Sequence, residues 1–421
     1  MTAAGQKKRK DHRQSLNEIA EQYVRLVLDI GGLDPDYVDA YYGPPQWQEE
    51  AKRMTYRPTA LLDRAEALLS RLRRVRIPAS DASSALRRTY LVKQLTAARA
   101  RIGMLNGERF TFDQEAKLLY DVQPPTLTEQ HFQRTVAELG ALLPPGEGSV
   151  QQRYEAFRKR FVIPAERLDT VFSAAIAECR RRTLTHIALP KEESFTVEYV
   201  TQKPWSGYNW YKGNAHSVIQ VNTDLPIFID RAVDLAAHEG YPGHHVYNVL
   251  LETELMRKKG WIEFSVYPLF SPQSLIAEGS ANYGIEMAFT PKERLAFERE
   301  VLFPLAGLDP DEAELYYAVQ AAAAKLAYAG NEAARRLLNG TMTKEQAKEW
   351  LVAYGLFEPA RAEQRIAFIE KYRSYVINYN YGLDLVRTYV ARKAGKNAAA
   401  SRRWKIFSEL LSSPRMPSGL K

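Results

Sequence analysis

The chain has 421 residues, of which 45% are hydrophobic and 26% charged, values typical of a folded globular protein and not of a disordered one. No apolar run approaches the roughly 18 residues that a membrane-spanning helix needs, and the single cysteine, Cys179, excludes an internal disulfide or a zinc site built from several cysteines. The net charge of +8 does not indicate nucleic-acid binding, because the basic residues are dispersed along the chain and form no single patch. We therefore predict neither nucleic acid nor a membrane as a partner.

The N-terminal segment "MTAAGQKKRKDHRQS" is basic and has no apolar segment behind it. A secretory signal needs such an apolar segment, so none is visible and the cytoplasm is the expected location. We predict that residues 1–14 form a disordered basic tail.

Apolar residues recur every three or four positions along most of the chain, which is the pattern of α-helices. Proline pairs at 44–45, 124–125 and 144–145 separate these segments, because proline lacks the donor that a helix interior needs. We predict an N-terminal helical region over residues 15–190. Its clearest helices are 15–30, 58–75, 127–143 and 165–183.

One segment, 194–222, is rich in Val, Thr and aromatic residues and predicts two or three short antiparallel strands. A helix is predicted directly after it, with Thr223 or Asp224 as N-cap and Pro226 in the first turn. We assign residues 191–421 to a catalytic region that forms one compact unit with the N-terminal region. The predicted fold class is mainly α, with a small antiparallel sheet beside the helix that carries the motif described next.

The segment "AAHEGYPGHHVYN", residues 236–248, contains three of the seven histidines beside Glu239. Zinc binds imidazole nitrogens and carboxylate oxygens, and a catalytic site keeps one position open for water. In the zinc motif H-E-x-x-H the two histidines share a helix face, because residues four apart are neighbours, and the glutamate acts as general base. The pattern therefore predicts a Zn²⁺ site that includes His238, with Glu239 as the base.

The spacing of the later histidines departs from that motif. On an ideal helix His238 and His244 would lie about 120° apart, and His238 and His245 would share a face but lie about 10.5 Å apart along the axis. Pro242 cannot donate to the carbonyl of His238 and clashes with it, and Gly243 tolerates backbone angles that other residues avoid. We therefore predict a distortion at 241–243 that returns a later histidine to the face of His238. His244 and His245 both remain candidates for the second ligand.

These residues resemble a known family. "HEGYPGHH" is similar to the His-Glu-x-x-Pro-Gly-His-His signature of the domain-of-unknown-function 885 family (DUF885), which is grouped with zinc metallopeptidases of the gluzincin type. The family's later elements, Glu-Gly-Trp-Ala-x-Tyr-x-Glu and Tyr-x-x-Gly, resemble "EGSANYGIE" (278–286) and "YNYG" (379–382), and "DAYYGPPQW" (39–47) also resembles family members. "GHHVY" is similar to the "GHALY" ending of the related thermostable carboxypeptidase motif, a comparison that puts His244 in the place of the second ligand. The resemblance implies a gluzincin-like, thermostable-carboxypeptidase-like fold.

Gluzincins take their third metal ligand from a glutamate on a following helix, and the resemblance implies that this ligand is Glu278. The local sequence predicts a helix there, with Ser271 as cap, Pro272 in the first position and an end near Phe289. Without the resemblance, Glu278 is equally well explained as a partly exposed helix glutamate.

Four further residues are candidates around the metal. Tyr379 matches the late tyrosine of the family and could donate a hydrogen bond to the developing negative charge, although it could equally be a core tyrosine. His245 could bind substrate or be the second ligand. Asp234, one turn before His238, and Asn282, one turn after Glu278, could orient ligands, or each could form hydrogen bonds unrelated to the site.

The chain departs from the family pattern at two places. Ser280 replaces the tryptophan after Glu-Gly, the second glutamate arrives one position late at Glu286, and "RSYVIN" replaces the Pro-Gly-Gln before the late tyrosine. These departures concern the substrate pocket more than the metal. We predict a zinc-dependent metallopeptidase that cleaves short peptides with a metal-activated water. The alternatives are a zinc hydrolase of small non-peptide amides and a non-catalytic helical binding protein that retains the motif.

Overall fold

The computed structural model describes the backbone of residues 3–203 and 205–421, with side chains from His12 onward. The fold is mainly α-helical, which confirms the predicted fold class. Among the described residues, no helix combines the length and the apolar character that a membrane span requires. The helices are α1 (Ala3–Gly31), α2 (Pro45–Arg53), α3 (Pro58–Arg74), α4 (Ala82–Leu105), α5 (Phe112–Tyr120), α6 (Glu129–Leu142), α7 (Val150–Lys159), α8 (Leu168–Leu184), α9 (Asp230–Leu235), α10 (His244–Leu250), α11 (Pro272–Ala288), α12 (Pro291–Phe297), α13 (Phe303–Ala306), α14 (Ala313–Ala324), α15 (Ala329–Leu338), α16 (Lys344–Gly355), α17 (Pro359–Tyr372), α18 (Ile377–Ala394) and α19 (Ala400–Leu411).

Helix α1 begins before the predicted end of the N-terminal tail. It spans Ala3–Gly31 and so includes residues 3–14 of the predicted tail, while residues 1 and 2 lie outside the described part of the chain. Lysine, arginine and glutamine in this segment are good helix formers, and they extend the helix that the apolar pattern starts. His12 is buried and its Nε2 lies 3.2 Å from Oδ2 of Asp81, which anchors this part of the helix to the start of α4.

The small sheet is mixed, and not antiparallel as predicted. Strands β2 (Ser194–Val200), β3 (Gly207–Gly213) and β4 (His216–Asn222) are ordered β2-β4-β3, with β3–β4 antiparallel and β2–β4 parallel. A two-residue turn with positive φ angles, at Asn214 and Ala215, makes β3 and β4 a hairpin. The chain reverses direction between β2 and β3 and again at this turn. Strand β2 therefore runs in the same direction as β4, and it pairs with the edge of β4 that does not face β3.

A second, two-stranded sheet joins distant parts of the chain. Strand β1 (Val38–Tyr41) pairs antiparallel with β5 (Val266–Pro268), just before α11. Helix α11 begins at Pro272 as predicted. Ser271 does not cap it through its side chain, because its hydroxyl donates to the carbonyl of Pro268 at 2.7 Å.

Helix α9 begins at Asp230, later than the predicted start at Thr223 or Asp224. The preceding segment is held by backbone pairing: Ile163 N donates to Ile227 O at 2.8 Å, and Ile229 N donates to Phe161 O at 2.9 Å. Long-range hydrogen bonds therefore replace the predicted first turns of the helix.

Helices α11 and α18 cross in close contact at two glycines. A side-chain carbon on Gly279 would overlap the backbone of Gly382. The glycines of the "EGS" and "YNYG" segments are therefore needed for this approach, which brings the residues before Gly382 next to Glu278. The surrounding core draws on both halves of the chain, from Leu16 to Leu420.

Candidate metal centre

The helix that carries the histidine motif is interrupted where the sequence predicts a distortion. Helix α9 widens into a π-helical segment, Ala236–Gly240, and Tyr241 is extended. Tyr241 N donates to Ala236 O at 3.0 Å, five residues back, before helix α10 starts at His244. Such single-turn π segments often occur at functional sites.

Gly243 allows this path because it has no side chain. A side-chain carbon there would overlap the carbonyl oxygen of His238. The close approach to His238 is therefore the reason that a glycine is required at this position. Pro242 packs on α11, where a side-chain carbon on Gly284 would lie 3.2 Å from its Cγ.

The interruption brings three potential ligand atoms together. The Nε2 atoms of His238 and His244 lie 3.1 Å apart, and Oε2 of Glu278 lies 3.3 Å from the first and 3.7 Å from the second. Four-coordinate zinc with nitrogen and oxygen ligands at about 2.0–2.1 Å has ligand-to-ligand distances of about 3.3 Å. The described residues provide this one His/His/Glu group suited to a metal ion.

The carboxylate of Glu278 indicates that the group fits a cation. Its Oε1 accepts a hydrogen bond from the Tyr375 hydroxyl at 2.8 Å, whereas its Oε2 is buried and accepts no hydrogen bond of normal geometry. A buried carboxylate oxygen that accepts no hydrogen bond is costly. Two imidazole nitrogens and this oxygen therefore form a donor set that matches a zinc site.

Asn282, a candidate from the sequence, contacts one of the imidazoles. Its Nδ2 donates to the carbonyl of Tyr379 at 2.8 Å, so its Oδ1 is available as the acceptor that lies 3.0 Å from His238 Nδ1. His238 then carries its proton on Nδ1, which leaves the Nε2 lone pair directed at the cluster.

Asp234 does not contact the cluster, which corrects its predicted role. Its carboxylate pairs with Arg294 Nη1 at 2.9 Å and with Arg231 Nη1 at 3.3 Å. The expectation assumed a regular helix between residues 234 and 238, and the π-helical segment changes the phase between them.

His245 is also separate from the cluster, so its predicted role as substrate contact or alternative ligand is corrected. It is fully buried, its Nδ1 lies 2.8 Å from Ser217 Oγ on β4, and its Nε2 lies 3.0 Å from Glu193 Oε2. Consecutive helix residues point about 100° apart. His244 therefore faces the cluster while His245 anchors α10 to the three-stranded sheet.

Glu239 lies beside the cluster and is held by β3. Its Oε1 is 4.0 Å from His238 Nε2, and only 5% of the residue is exposed. Its backbone carbonyl accepts a hydrogen bond from Asn209 Nδ2 at 2.8 Å, and a side-chain carbon on Gly207 would lie 3.1 Å from its Oε1. This carboxylate is close enough to act on a water at the cluster.

Tyr379 lies near the cluster, but the ligand contact belongs to Tyr375. The two rings are 5.7 Å apart, and Tyr375 is the tyrosine that donates to Glu278. Sequence reasoning missed Tyr375 because this segment contains many tyrosines at similar spacing. Burial raises the pKa of Tyr379, and the charges of Glu278 and Glu239 raise it further, so its hydroxyl keeps its proton.

Asp39 on β1 is a second residue that sequence reasoning missed. It accepts a hydrogen bond from the Tyr208 hydroxyl of β3. Burial raises the pKa of Asp39 to about 6, and the nearby carboxylates of Glu278 and Glu239 act in the same direction. The sequence signal for Asp39 was the resemblance of the "DAYYG" segment to family members, but we predicted no role for that segment.

The electrostatics of the cluster favour a positive charge. Burial lowers the pKa of His244, but Glu278, with Glu239 and Asp39, outweighs burial and raises it to about 9. Burial likewise raises the pKa of Glu278, but His244 and His238 outweigh it and hold the carboxyl ionised. The three carboxylates thus attract a cation to the space between the imidazoles.

A large cavity of about 1490 Å³ lies elsewhere, on another face of α11. It is lined by Tyr283, Glu286 and Met287 of α11 and by residues such as Asp234 and Trp404, and it includes neither Glu239 nor the three potential ligands. The size of a cavity therefore does not identify the candidate reactive site. The close approach of three potential ligand atoms is the better indicator.

No family model and no curated protein matches the chain. Among solved structures, a protein named a "putative lipoprotein" from Colwellia psychrerythraea has a TM-score of 0.53 and 16% identity, over 86% of this chain and 65% of that one. A "putative lipoprotein of unknown function" from Shewanella oneidensis has a TM-score of 0.45 and 13% identity, over 87% and 76% of the two chains. The first similarity shows a shared fold, and the chain spans less than two thirds of that neighbour.

Proposed function

We propose that this protein is a zinc-dependent metallopeptidase of the gluzincin type that cleaves short peptides, and that it belongs to the DUF885 family. The observation that carries the proposal is the spacing of His238, His244 and Glu278, whose facing atoms are separated by 3.1, 3.3 and 3.7 Å. Glu239 lies 4.0 Å from the same imidazole nitrogen of His238.

Each residue around the cluster has a role in this proposal. His238, His244 and Glu278 would hold zinc, which would lower the pKa of a water toward about 7 and polarise a carbonyl. Glu239 takes a proton from the water and passes it to the leaving amine. The Tyr379 hydroxyl donates a hydrogen bond to the oxygen on which negative charge develops.

The position of β3 favours a peptide substrate over a non-peptide amide. β3 is at an edge of the three-stranded sheet, and its first residue, Gly207, lies against Glu239. An extended peptide can add to a sheet edge through main-chain hydrogen bonds. A peptide bound in this way would pass close to the proposed base.

The test combines metal analysis with a peptide-library digest read by mass spectrometry. We expect one equivalent of zinc per chain, hydrolysis by the native chain, and neither in His238→Ala. Glu239→Gln should keep the metal and lose about 10²- to 10⁴-fold in rate, the usual contribution of a general base. Metal well below one equivalent after zinc reconstitution, or normal turnover by Glu239→Gln, would overturn the proposal. Metal binding with cleavage of small amides alone, or with no cleavage, would identify one of the two alternative functions.

The cytoplasm remains our proposed location. The similar structure from Colwellia psychrerythraea is named a putative lipoprotein, which makes the location worth testing directly. Fractionation of cells that produce the natural chain should place it with cytoplasmic markers, and recovery with the membrane fraction would contradict this.

A further inference from the structure

Arg365 on α17 is a largely buried cation without an acidic partner. Its Nε is buried and makes no hydrogen bond, and no carboxylate of the described side chains forms an ion pair with it. Its Cζ lies 4.7 Å from the centre of the Phe368 ring. A side-chain carbon on Gly330 of α15 would lie 3.7 Å from its Nη2, so the backbone of α15 also closes around it.

Two other arginines with little exposed surface are neutralised by carboxylates. Arg87 Nε donates to Glu263 at 2.6 Å, and Arg294 Nε donates to Glu298 at 2.6 Å. Leaving a buried charge uncompensated is costly. An arginine that is buried without such compensation is therefore suited to an anion that arrives with a ligand.

A continuous set of aromatic contacts connects Arg365 with the metal cluster. The ring centres of Phe368 and Tyr379 lie 6.5 Å apart, those of Tyr379 and Tyr375 lie 5.7 Å apart, and the Tyr375 hydroxyl is 2.8 Å from Glu278. Burial has the largest effect on the pKa of Tyr379, and Arg365 and Glu278 act on the same hydroxyl with opposite signs. The guanidinium is thus connected to the cluster through the rings of Phe368, Tyr379 and Tyr375.

We propose that Arg365 binds the α-carboxylate of a peptide substrate, so that cleavage occurs near a free C-terminus. This inference rests on the proposed peptidase function. A guanidinium binds a carboxylate through two parallel hydrogen bonds, which fixes the orientation of the substrate as well as its charge. In this proposal the carboxylate held by Arg365 directs a peptide carbonyl near the C-terminus toward Glu239. Water adds to that carbonyl carbon, the C–N bond breaks, and the amine leaves with the proton that Glu239 delivers.

The first experiment compares peptides of identical sequence that end in a free acid or in an amide. We expect the native chain to hydrolyse the acid with a kcat/KM roughly 100-fold higher, the scale associated with loss of one partner from a buried charge pair. Arg365→Met should reduce this preference to within about threefold, while zinc content stays unchanged. Arg361→Met, which removes an arginine one turn earlier on α17 that lines the separate large cavity, is the matched control and should keep the preference.

The second experiment measures binding without turnover. In Glu239→Gln, calorimetry should show tighter binding of the peptide acid than of the amide, and the double variant E239Q/R365M should bind both equally. If the native chain hydrolyses no peptide but this difference persists, the peptidase function fails and the carboxylate site stands. If acid and amide are hydrolysed and bound alike by the native chain, the carboxylate site is overturned whatever the enzyme does. If Arg365→Met does not fold, Arg365→Lys replaces it, and an undiminished acid preference in that variant overturns the proposal.

Discussion

The Nε2 atoms of His238 and His244 face each other at 3.1 Å, although the two residues are six positions apart. A regular helix would place them about 120° apart around its axis. They meet because the helix widens at Ala236–Gly240 and restarts at His244. Two imidazole nitrogens at this distance from each other and from a carboxylate oxygen are the arrangement that a shared cation stabilises.

Separate substitution of the two adjacent histidines should distinguish the residue that binds the metal from the residue that stabilises the fold. We expect His244→Ala to lose stoichiometric zinc, measured by elemental analysis after dialysis. His245→Ala should keep zinc but lose roughly 2–4 kcal/mol of unfolding free energy, because its removal leaves Ser217 and Glu193 short of a partner and opens a cavity. Zinc retained by the first variant and lost by a folded second variant would reverse the assignment.

Loss of the Asn282 amide should weaken the metal site without removing a ligand. We expect Asn282→Ala to bind zinc about 10- to 100-fold more weakly, the usual effect of losing a residue that orients a ligand, since His238 loses its acceptor. Competition with a chromophoric chelator measures the affinity. Ser280→Ala is the control, because its hydroxyl donates to the carbonyl of Ala277 on the same helix. Equal affinities of the two variants would show that Asn282 does not orient His238.

A methyl group on Gly207 should disturb the proposed base and leave the metal in place. In Gly207→Ala the new carbon would lie 2.7 Å from Leu235 Cδ2 and 3.1 Å from Glu239 Oε1, so Leu235 must move and Glu239 must shift slightly. We expect full zinc content and a kcat reduced at least about tenfold, measured on a peptide found in the library digest. Gly419→Ala, where the added carbon meets open space, should be indistinguishable from the native chain. Unchanged kcat in Gly207→Ala would argue against Glu239 as the base.

The ion pair beneath α10 should make stability depend on pH in the acid range. Burial raises the pKa of Glu193, but hydrogen bonds from His245, Tyr241 and Arg180 outweigh burial and lower it from 4.5 to about 2. Because the folded pKa is the lower one, this stabilisation is complete above the unfolded pKa and is lost as pH falls through the folded pKa.

We therefore expect Glu193→Gln to show a shallower loss of unfolding free energy between about pH 5 and pH 2, measured by urea titration at each pH. Glu49→Gln, at an exposed residue 3.7 Å from Arg53, is the control and should follow the native curve. Parallel curves for Glu193→Gln and the native chain would show that this ion pair does not cause the dependence.

Much of the site could be predicted from short-range patterns. His238 and Glu239 follow from the zinc motif, and the distortion at 241–243 follows from proline chemistry, which acts on neighbouring residues alone. Helix α11, which carries Glu278 and Asn282, starts at Pro272 as its sequence indicates. The predicted helices in the N-terminal region correspond to α1, α3, α6 and α8.

The sequence by itself determined most of the helical segments, where the motif helix breaks, and which residue types could bind a metal, because these depend on periodicity and on backbone chemistry within a few residues. Only the tertiary structure decided that His244 and not His245 faces Glu278, that Asp234 turns to Arg294, and that Tyr375 supports the carboxylate. It also decided the strand order and the position of Arg365 over the ring of Phe368. These outcomes depend on how far the π-helical segment rotates the chain and on how closely two glycines let α11 and α18 approach, and neither quantity is encoded in any one local pattern.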